Sequence, residues 1–477
     1  MLALLILVPL AILVLVNAPL NFMRKLAWPL AVALAAVQSL AIVLCPVAFW
    51  AAATHIENFF VFRLLMDPLS RVLLLSIGIV VFVALLLGRS MITGERKSAN
   101  FVSVILIALA GMNGVVLLQD LFSLYVFLEV ASVASFVLIA FNRERNGLEG
   151  AFKYIILSAV ATILMIGAIA ILLLVADGTS FDAIRAALAV SGGNGLVKLA
   201  VGAFICGLFI KGGLVPFHGW LPGAYQGAPA PVSVLLAGIV TKVSGIYALI
   251  RLVTTVFPLS GAVNEILLLV GALSIVVGAL GALWQDDMKR LLAYSSISQV
   301  GYIILGLGCG TPLGFAGAVL HLFNHSIFKS LLFVDAAAVE QRLGTTDMRR
   351  LGGLGSRMPV TSATSVIGLL SAAGVPPLSG FWSKLLIIVA LWQGAHYTLA
   401  FVAVGLSVVT LGYLLLMCRK VFFGKPPAEF AEVREAQPGI VISALILSAI
   451  TVGIGVLFPL IVNTFLLTFL LPVERLF

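Results

Sequence analysis

Long uncharged stretches of Leu, Val, Ile and Ala succeed one another along almost the whole chain, separated by short polar connections. A run of about 20 apolar residues crosses the hydrocarbon core as a helix. Lipid offers no water to an open backbone, so helices rather than a barrel must satisfy the peptide groups. We count fourteen spans, at 2 to 20, 26 to 53, 68 to 88, 100 to 118, 121 to 141, 150 to 176, 197 to 221, 229 to 257, 261 to 284, 291 to 310, 312 to 336, 360 to 390, 395 to 421 and 437 to 470. At 62% hydrophobic and 10% charged, a chain of 477 residues could not stay in solution as a globular domain. The expected fold is an all-α integral membrane protein of about 14 transmembrane helices in the inner or cytoplasmic membrane, with no separate soluble domain. "MLALLILVPLAILVLVNAPL" has no basic segment before its apolar stretch and no small-residue cleavage site, so it reads as a retained first helix.

The net charge of +9 is topology, not a nucleic-acid surface. Of 28 Lys and Arg, 18 fall in odd-numbered connections and only five, Arg63, Arg71, Arg185, Lys198 and Arg251, in even ones. The excess of basic residues in cytoplasmic loops then places the odd connections in the cytoplasm and both termini outside. Arg475 follows the last span, and the four left over, Lys211, Lys242, Lys329 and Lys384, stand inside spans.

Cys45, Cys206, Cys309 and Cys418 stand singly, without cluster spacing. There is no phosphate loop and no dinucleotide fingerprint. No cofactor is expected in this chain, and any redox chemistry driving it belongs to another subunit.

An ionised group at mid-bilayer costs about 2.5 to 3.5 kcal/mol on insertion scales and usually faces the bundle interior. Glu129, in "DLFSLYVFLEVASVASFVLIAF" with Asp120 about two turns earlier, is one such group. As a structural ion-pair partner it would pin two helices, but four lysines exceed the buried acids available. Burial disfavours a charged amine and a nearby carboxylate restores it, so opening and closing such a pair switches a lysine's proton affinity. His321, His325 and Lys329 share a helix face at spacing i, i+4, i+8. Lys329 could merely be solvated by that stripe, and the two histidines could bind a metal, although "HLFNH" lacks the glutamate of a metalloprotease motif and no third ligand is evident. Passing protons through intervening water suits imidazoles and an amine better. His55, His218 and His396 fall in or near loops or the broken segment.

Two spans are interrupted. "KGGLVPFHGWLP" carries Lys211 just before Pro216, and "SAAGVPPLSGFWSK" carries Lys384 just after Pro376 and Pro377. Gly and Pro free backbone groups that are tolerated in lipid only where protein or water takes them up, so each break is expected to mark hydrated interior. Corresponding interrupted helices in two halves point to inverted repeats and to a transport path. The spacing fits two five-helix repeats, spans 4 to 8 at residues 100–257 and spans 9 to 13 at 258–421, between an N-terminal part (1–99) and a C-terminal loop and helix (422–477).

"DLFSLYVFLEVASVASFVLI", "KGGLVPFHGWLPGAYQGAPAPVSVLLAGIVTKVSGIYALIR", "QDDMKRLLAYSSISQVGYIILGLG", "HLFNHSIFKSLLF" and "GVPPLSGFWSK" are long and specific. Over about residues 60 to 425 the chain resembles the antiporter-like membrane subunits shared by respiratory complex I (NADH-quinone oxidoreductase), membrane-bound hydrogenases and Mrp-type cation/proton antiporters. The resemblance implies fourteen helices with inverted repeats in which helices 7 and 12 are broken. It also implies a path in which Glu129 pairs with Lys211, Lys242 bridges to the centre, and His321, His325 and Lys329 lead to Lys384. Gly223 stands where many relatives have Asp, and Gln299 stands where complex I members often have His, which tilts the reading toward hydrogenase-like or Mrp-like relatives. No long lateral helix is expected after the last span, unlike the most distal complex I subunit.

The expected function is a proton-translocating subunit of a multi-subunit ion-pumping complex, moving H+ alone or in exchange for Na+. Its expected partners are other membrane subunits and soluble iron-sulfur, hydrogenase or dehydrogenase subunits, in the lipid bilayer and without nucleic acid. The alternative is a membrane partner of a soluble zinc protein in inorganic-carbon uptake.

Overall fold

The computed structural model describes residues 2–18, 21–44, 55–59, 62–257, 261–430 and 432–473. Cys45, the 45–53 end of the expected second span and Arg475 lie outside the described residues. The apolar runs form α1 (Leu4–Val16), α2 (Asn21–Leu44), α3 (Pro68–Met91), α4 (Glu95–Leu117), α5 (Leu121–Ile139) and α6 (Arg145–Leu172). They are followed by α7 (Phe181–Ser191), α8 (Gly195–Gly212), α9 (Leu221–Gly227), α10 (Ala230–Thr255), α11 (Gly261–Leu283), α12 (Met288–Gly308) and α13 (Pro312–Leu343). The last four are α14 (Pro359–Ala373), α15 (Ser379–Gln393), α16 (Tyr397–Phe422) and α17 (Pro438–Val473).

Among the described residues, twelve helical segments are long and apolar enough to cross a membrane, α8 and α9 counting as one. The short α1 and the split α14/α15 correspond to the two remaining expected spans. Short polar side chains start the helices where the apolar runs begin. Asp67, Asp120 and Asp287 each accept the backbone N–H three residues on, at 2.7 to 2.9 Å. Thr311 does the same before Pro312, filling donors that a helix start leaves open.

Aliphatic and aromatic side chains such as Ile163 and Phe401 stand 69% and 67% exposed on the outside, a surface suited to lipid. The four intraspan lysines, by contrast, are 0 to 3% exposed. Helices α10, α12 and α13 are buried nearly all round and form the centre of the bundle.

Both expected breaks are present and match in detail. Helix α8 ends at Gly213 and α14 at Gly374, each in the left-handed region (φ 66° and 84°), and each glycine is followed after three residues by a cis proline, Pro216 and Pro377. At each break a side chain takes up one of the freed carbonyls. Trp220 Nε1 donates to Ile210 O at 3.1 Å, and Lys384 Nζ to Ala372 O at 2.8 Å.

Three features depart from the sequence reading. A short antiparallel hairpin pairs β1 (His55–Phe59) with β2 (Phe62–Met66), with His55 opposite Met66. The eleven-residue α7, capped by Ser180, fills part of the sixth connection. Two basic residues assigned to connections are buried in helices. Arg251 is 3% exposed in α10 and held by both oxygens of Asp67 at 2.5 and 2.8 Å, while Lys289 is 2% exposed in α12 and paired with Glu340 at 3.2 Å.

Candidate functional site

Glu129 lies mid-way along α5 and Lys211 in the last turn of α8, with α6 packed between. Lys211 Nζ sits 2.9 Å from Glu129 Oε1 and donates to Ser132 Oγ at 3.0 Å and Ser158 Oγ at 3.1 Å. Three acceptors match the three hydrogens of an ammonium. The same Glu129 oxygen accepts from Thr162 Oγ1 at 2.7 Å. Lys211 is fully buried and Glu129 25% exposed, so the pair is closed at its amine end and reachable at its carboxylate end.

Beside it, Tyr154 stacks on Trp220 with ring centroids 3.8 Å apart. Its buried hydroxyl makes no well-formed hydrogen bond and lies between Ser132 and Ser244, that is, between the Lys211 site and the helix of Lys242. A lone tyrosine in an apolar run carries no sequence signal of this position.

Helix α10 carries Lys242 in its interior, where two π-helical stretches, Leu236–Val240 and Lys242–Tyr247, widen the coil. Such bulges cluster at functional sites. Lys242 Nζ donates to the carbonyl of Ala237. Two glycines set its distance from both halves. A Cβ on Gly245 would strike the backbone of Gly212, next to Lys211, and one on Gly238 would strike Ser330 Oγ, next to Lys329. Only glycine permits these two approaches.

In the second half, Lys329 Nζ donates to Ser295 Oγ at 2.7 Å and to Leu292 O at 3.2 Å, and Tyr413 donates to the same Ser295 at 2.8 Å. Lys329 is therefore held by α12, not solvated by its own histidine stripe. The rings of His321 and His325 stack at 6.1 Å and 5°, and His321 Nδ1 meets Ser383 Oγ of α15 at 2.8 Å. His325 is the electrostatic centre of the row, within reach of Lys242, Lys329, His321 and Lys384. Lys384 lies 4.5 Å above the Tyr302 ring, a favourable place for a cation. A cavity of about 300 Å³ opens beside it, lined by Gly374, Pro376, Phe381, Val404 and Val408.

Six of the seven expected residues are buried and Glu129 is 25% exposed: Glu129 pairs with Lys211, and Lys242, His325, Lys329, His321 and Lys384 lie near one another. Pro216, Pro376 and Pro377 lie at the two breaks that flank it. Among the described residues no further His, Cys, Asp or Glu joins His321 and His325 to make a metal-sized cluster.

At the breaks the carbonyls of Ile210 and Ala372 are each held by a protein donor, while His218 Nδ1 within the first break is buried without a protein partner. Buried polar atoms without a protein partner also occur on α12 and α13, among them Ser298 Oγ, the Gln299 amide, His321 Nε2, Asn324 Oδ1 and both nitrogens of His325. Buried polar atoms of this kind are commonly met by ordered water in native proteins.

Fold and site together define a multi-pass membrane protein built around a buried line of ionisable side chains. The chain belongs to the family described as NADH:quinone oxidoreductase/Mrp antiporter, TM, whose pattern it matches over residues 119–410. It is 35% identical over 363 residues, 76% of this chain and 73% of the other, to a Na(+)/H(+) antiporter subunit of Alkalihalophilus pseudofirmus. It is 32% identical over 406 residues, 83% of this chain and 81% of the other, to an NADH-quinone oxidoreductase subunit of Desulforudis audaxviator. A chain of the Mrp complex from Dietzia sp. DQ12-45-1b shares the fold with a TM-score of 0.91 at 24% identity, covering 100% of this chain and 98% of that one.

Proposed function

We propose that the chain is a proton-translocating, antiporter-like membrane subunit of a multi-subunit ion-pumping complex, with Glu129, Lys211, Lys242, His325, Lys329, His321 and Lys384 as its path. The observation that carries this reading is the Glu129–Lys211 pair, 2.9 Å long and continuous with further buried amines that have no carboxylate of their own within ion-pair distance among the described residues. A row of amines cannot all be charged in a low-dielectric interior, so a proton gained by one is repelled toward the next. When Glu129 withdraws from Lys211, the amine sheds its proton toward Lys242, with the Tyr154 hydroxyl between their helices. From there His325, whose ring nitrogens are free to bond water, connects to Lys329 and, through His321, to Lys384. Closing the Glu129 pair recharges Lys211.

Each elementary charge crossing the membrane exchanges about 2.3 kcal/mol per 100 mV, within the range that making or breaking a buried ion pair supplies. The names of the relatives support exchange of H+ for Na+ and assembly with other membrane subunits. The basic connections support a cytoplasmic position for the odd loops and an outer one for both termini. The matching breaks at Gly213 and Gly374 support two inverted repeats, 100–257 and 258–421. Lys211→Met in the assembled complex tests the reading. Coupled transport into proteoliposomes should be abolished with subunit assembly intact, and transport at the wild-type rate would refute it.

A further inference from the structure

Asp335 takes no part in the row described above. It sits on α13, six residues beyond Lys329, and is 1% exposed. Its Oδ1 accepts from Thr364 Oγ1 of α14 at 2.8 Å, and its Oδ2 has no protein partner. No Lys, Arg or His of the described residues stands within ion-pair distance of it. The titratable groups in electrostatic reach from neighbouring elements are Glu435, in the connection before α17, and Cys418 on α16.

A structural aspartate this deep would carry a cation or a full set of donors, because an unpaired buried carboxylate is costly. Asp335 has one donor. That donor leads outward. Thr364 lies one turn from Thr361, its one hydroxyl hydrogen serving either Asp335 or the carbonyls of Val360 and Thr361, and Thr361 Oγ1 donates to Glu435 Oε1 at 2.5 Å. Glu435 is half-buried in the thirteenth connection, on the side of the basic loops, where it also takes the N–H groups of Val360 and Thr361. Half-buried Glu435, Thr361, Thr364 and buried Asp335 thus follow one another inward, and Lys329 lies about 9 Å further along the same helix.

We propose that Asp335 is a proton-carrying carboxyl on a side branch that joins the Glu435 face of the protein to Lys329. The neutral acid gives up its proton, breaking O–H. Water conveys it to the unprotonated amine of Lys329, where N–H forms. The carboxylate left behind is reprotonated, a new O–H forming on it, by water arriving from the Glu435 side along the turn that carries Thr361 and Thr364. This branch rests on the transport reading above and gives the second half of the chain its own connection to the loop side.

The test uses the intact complex in proteoliposomes. Asp335→Asn keeps the shape and the Thr364 bond but cannot carry a proton. Coupled transport should fall on the order of a hundredfold, the lower range for loss of a positioned proton donor, while Asp335→Glu retains transport. Infrared spectra of the wild-type complex should contain a protonated-carboxyl band, shifted in D2O and missing in Asp335→Asn. Wild-type transport by Asp335→Asn overturns the proposal. Should that variant fail to assemble, Thr364→Val, which cuts the hydroxyl link and leaves Asp335 in place, must lower transport, and absence of the wild-type band alone overturns it. Normal transport by Lys211→Met together with an intact Asp335 band would sink the transport reading and leave the carboxyl's protonation standing, so the two failures are distinct.

Discussion

Glu129→Gln removes one charge and almost nothing else. Gln retains the volume, and its amide oxygen can still accept from Thr162, now 2.7 Å from Glu129. What disappears is the anion 2.9 Å from an amine that no solvent reaches. Stripping one partner from a buried pair costs about 3–5 kcal/mol because the other charge is left unmatched. The 25% exposure of Glu129 argues for the lower end, about 3 kcal/mol, since solvent already screens part of the attraction. At about 1.4 kcal/mol per decade this corresponds to roughly a hundredfold against the charged amine. Lys211 then rests as a neutral amine on Ser132 and Ser158, which suffice for its two remaining hydrogens. The complex should therefore assemble, with coupled proton uptake into proteoliposomes, followed by a pH-sensitive dye, reduced about a hundredfold. Glu129→Asp, which keeps the charge on a shorter stem, should fall between. Wild-type uptake by Glu129→Gln would show that the pair is a clamp between helices, and the reasoning from charge would fail.

Two further outcomes test the surrounding framework. Gly245→Ala places a methyl against the backbone of Gly212, so α8 and α10 must part; overpacking of this kind costs about 1–3 kcal/mol. It should lower both the melting temperature of the complex and its transport rate, whereas an unchanged rate would mean that Lys211 and Lys242 need not be close. Asp67→Asn strands Arg251, which is 3% exposed and off the row. A loss of about 3–5 kcal/mol in stability is expected, visible as a lower thermal midpoint, with transport per assembled complex unaltered.

The spans were legible because about twenty apolar residues have only one use in lipid. The Glu129, Lys211 and histidine positions were legible because charge in such runs is expensive. The rest escaped for identifiable reasons. Helix α7 has 11 residues, too few to span, and its Asp182 and Arg185 read as loop. Arg251 and Lys289 occur where apolar runs end, so each looked like a connection charge, and only their distant partners Asp67 and Glu340 reveal them as buried. Asp335 lies at the end of the expected eleventh span, and α13 continues to Leu343, which draws that aspartate inward. The π-helical turns around Lys242, where Gly245 and Gly238 pack against Gly212 and Ser330, have no local sequence pattern.

The two interrupted helices finish alike in backbone but not in what closes them. The Trp220 indole that holds Ile210 has a single N–H that does not titrate, whereas the amine that holds Ala372 has three hydrogens when charged and two when neutral, so only the second closure changes its hydrogen-bonding capacity with the proton it carries.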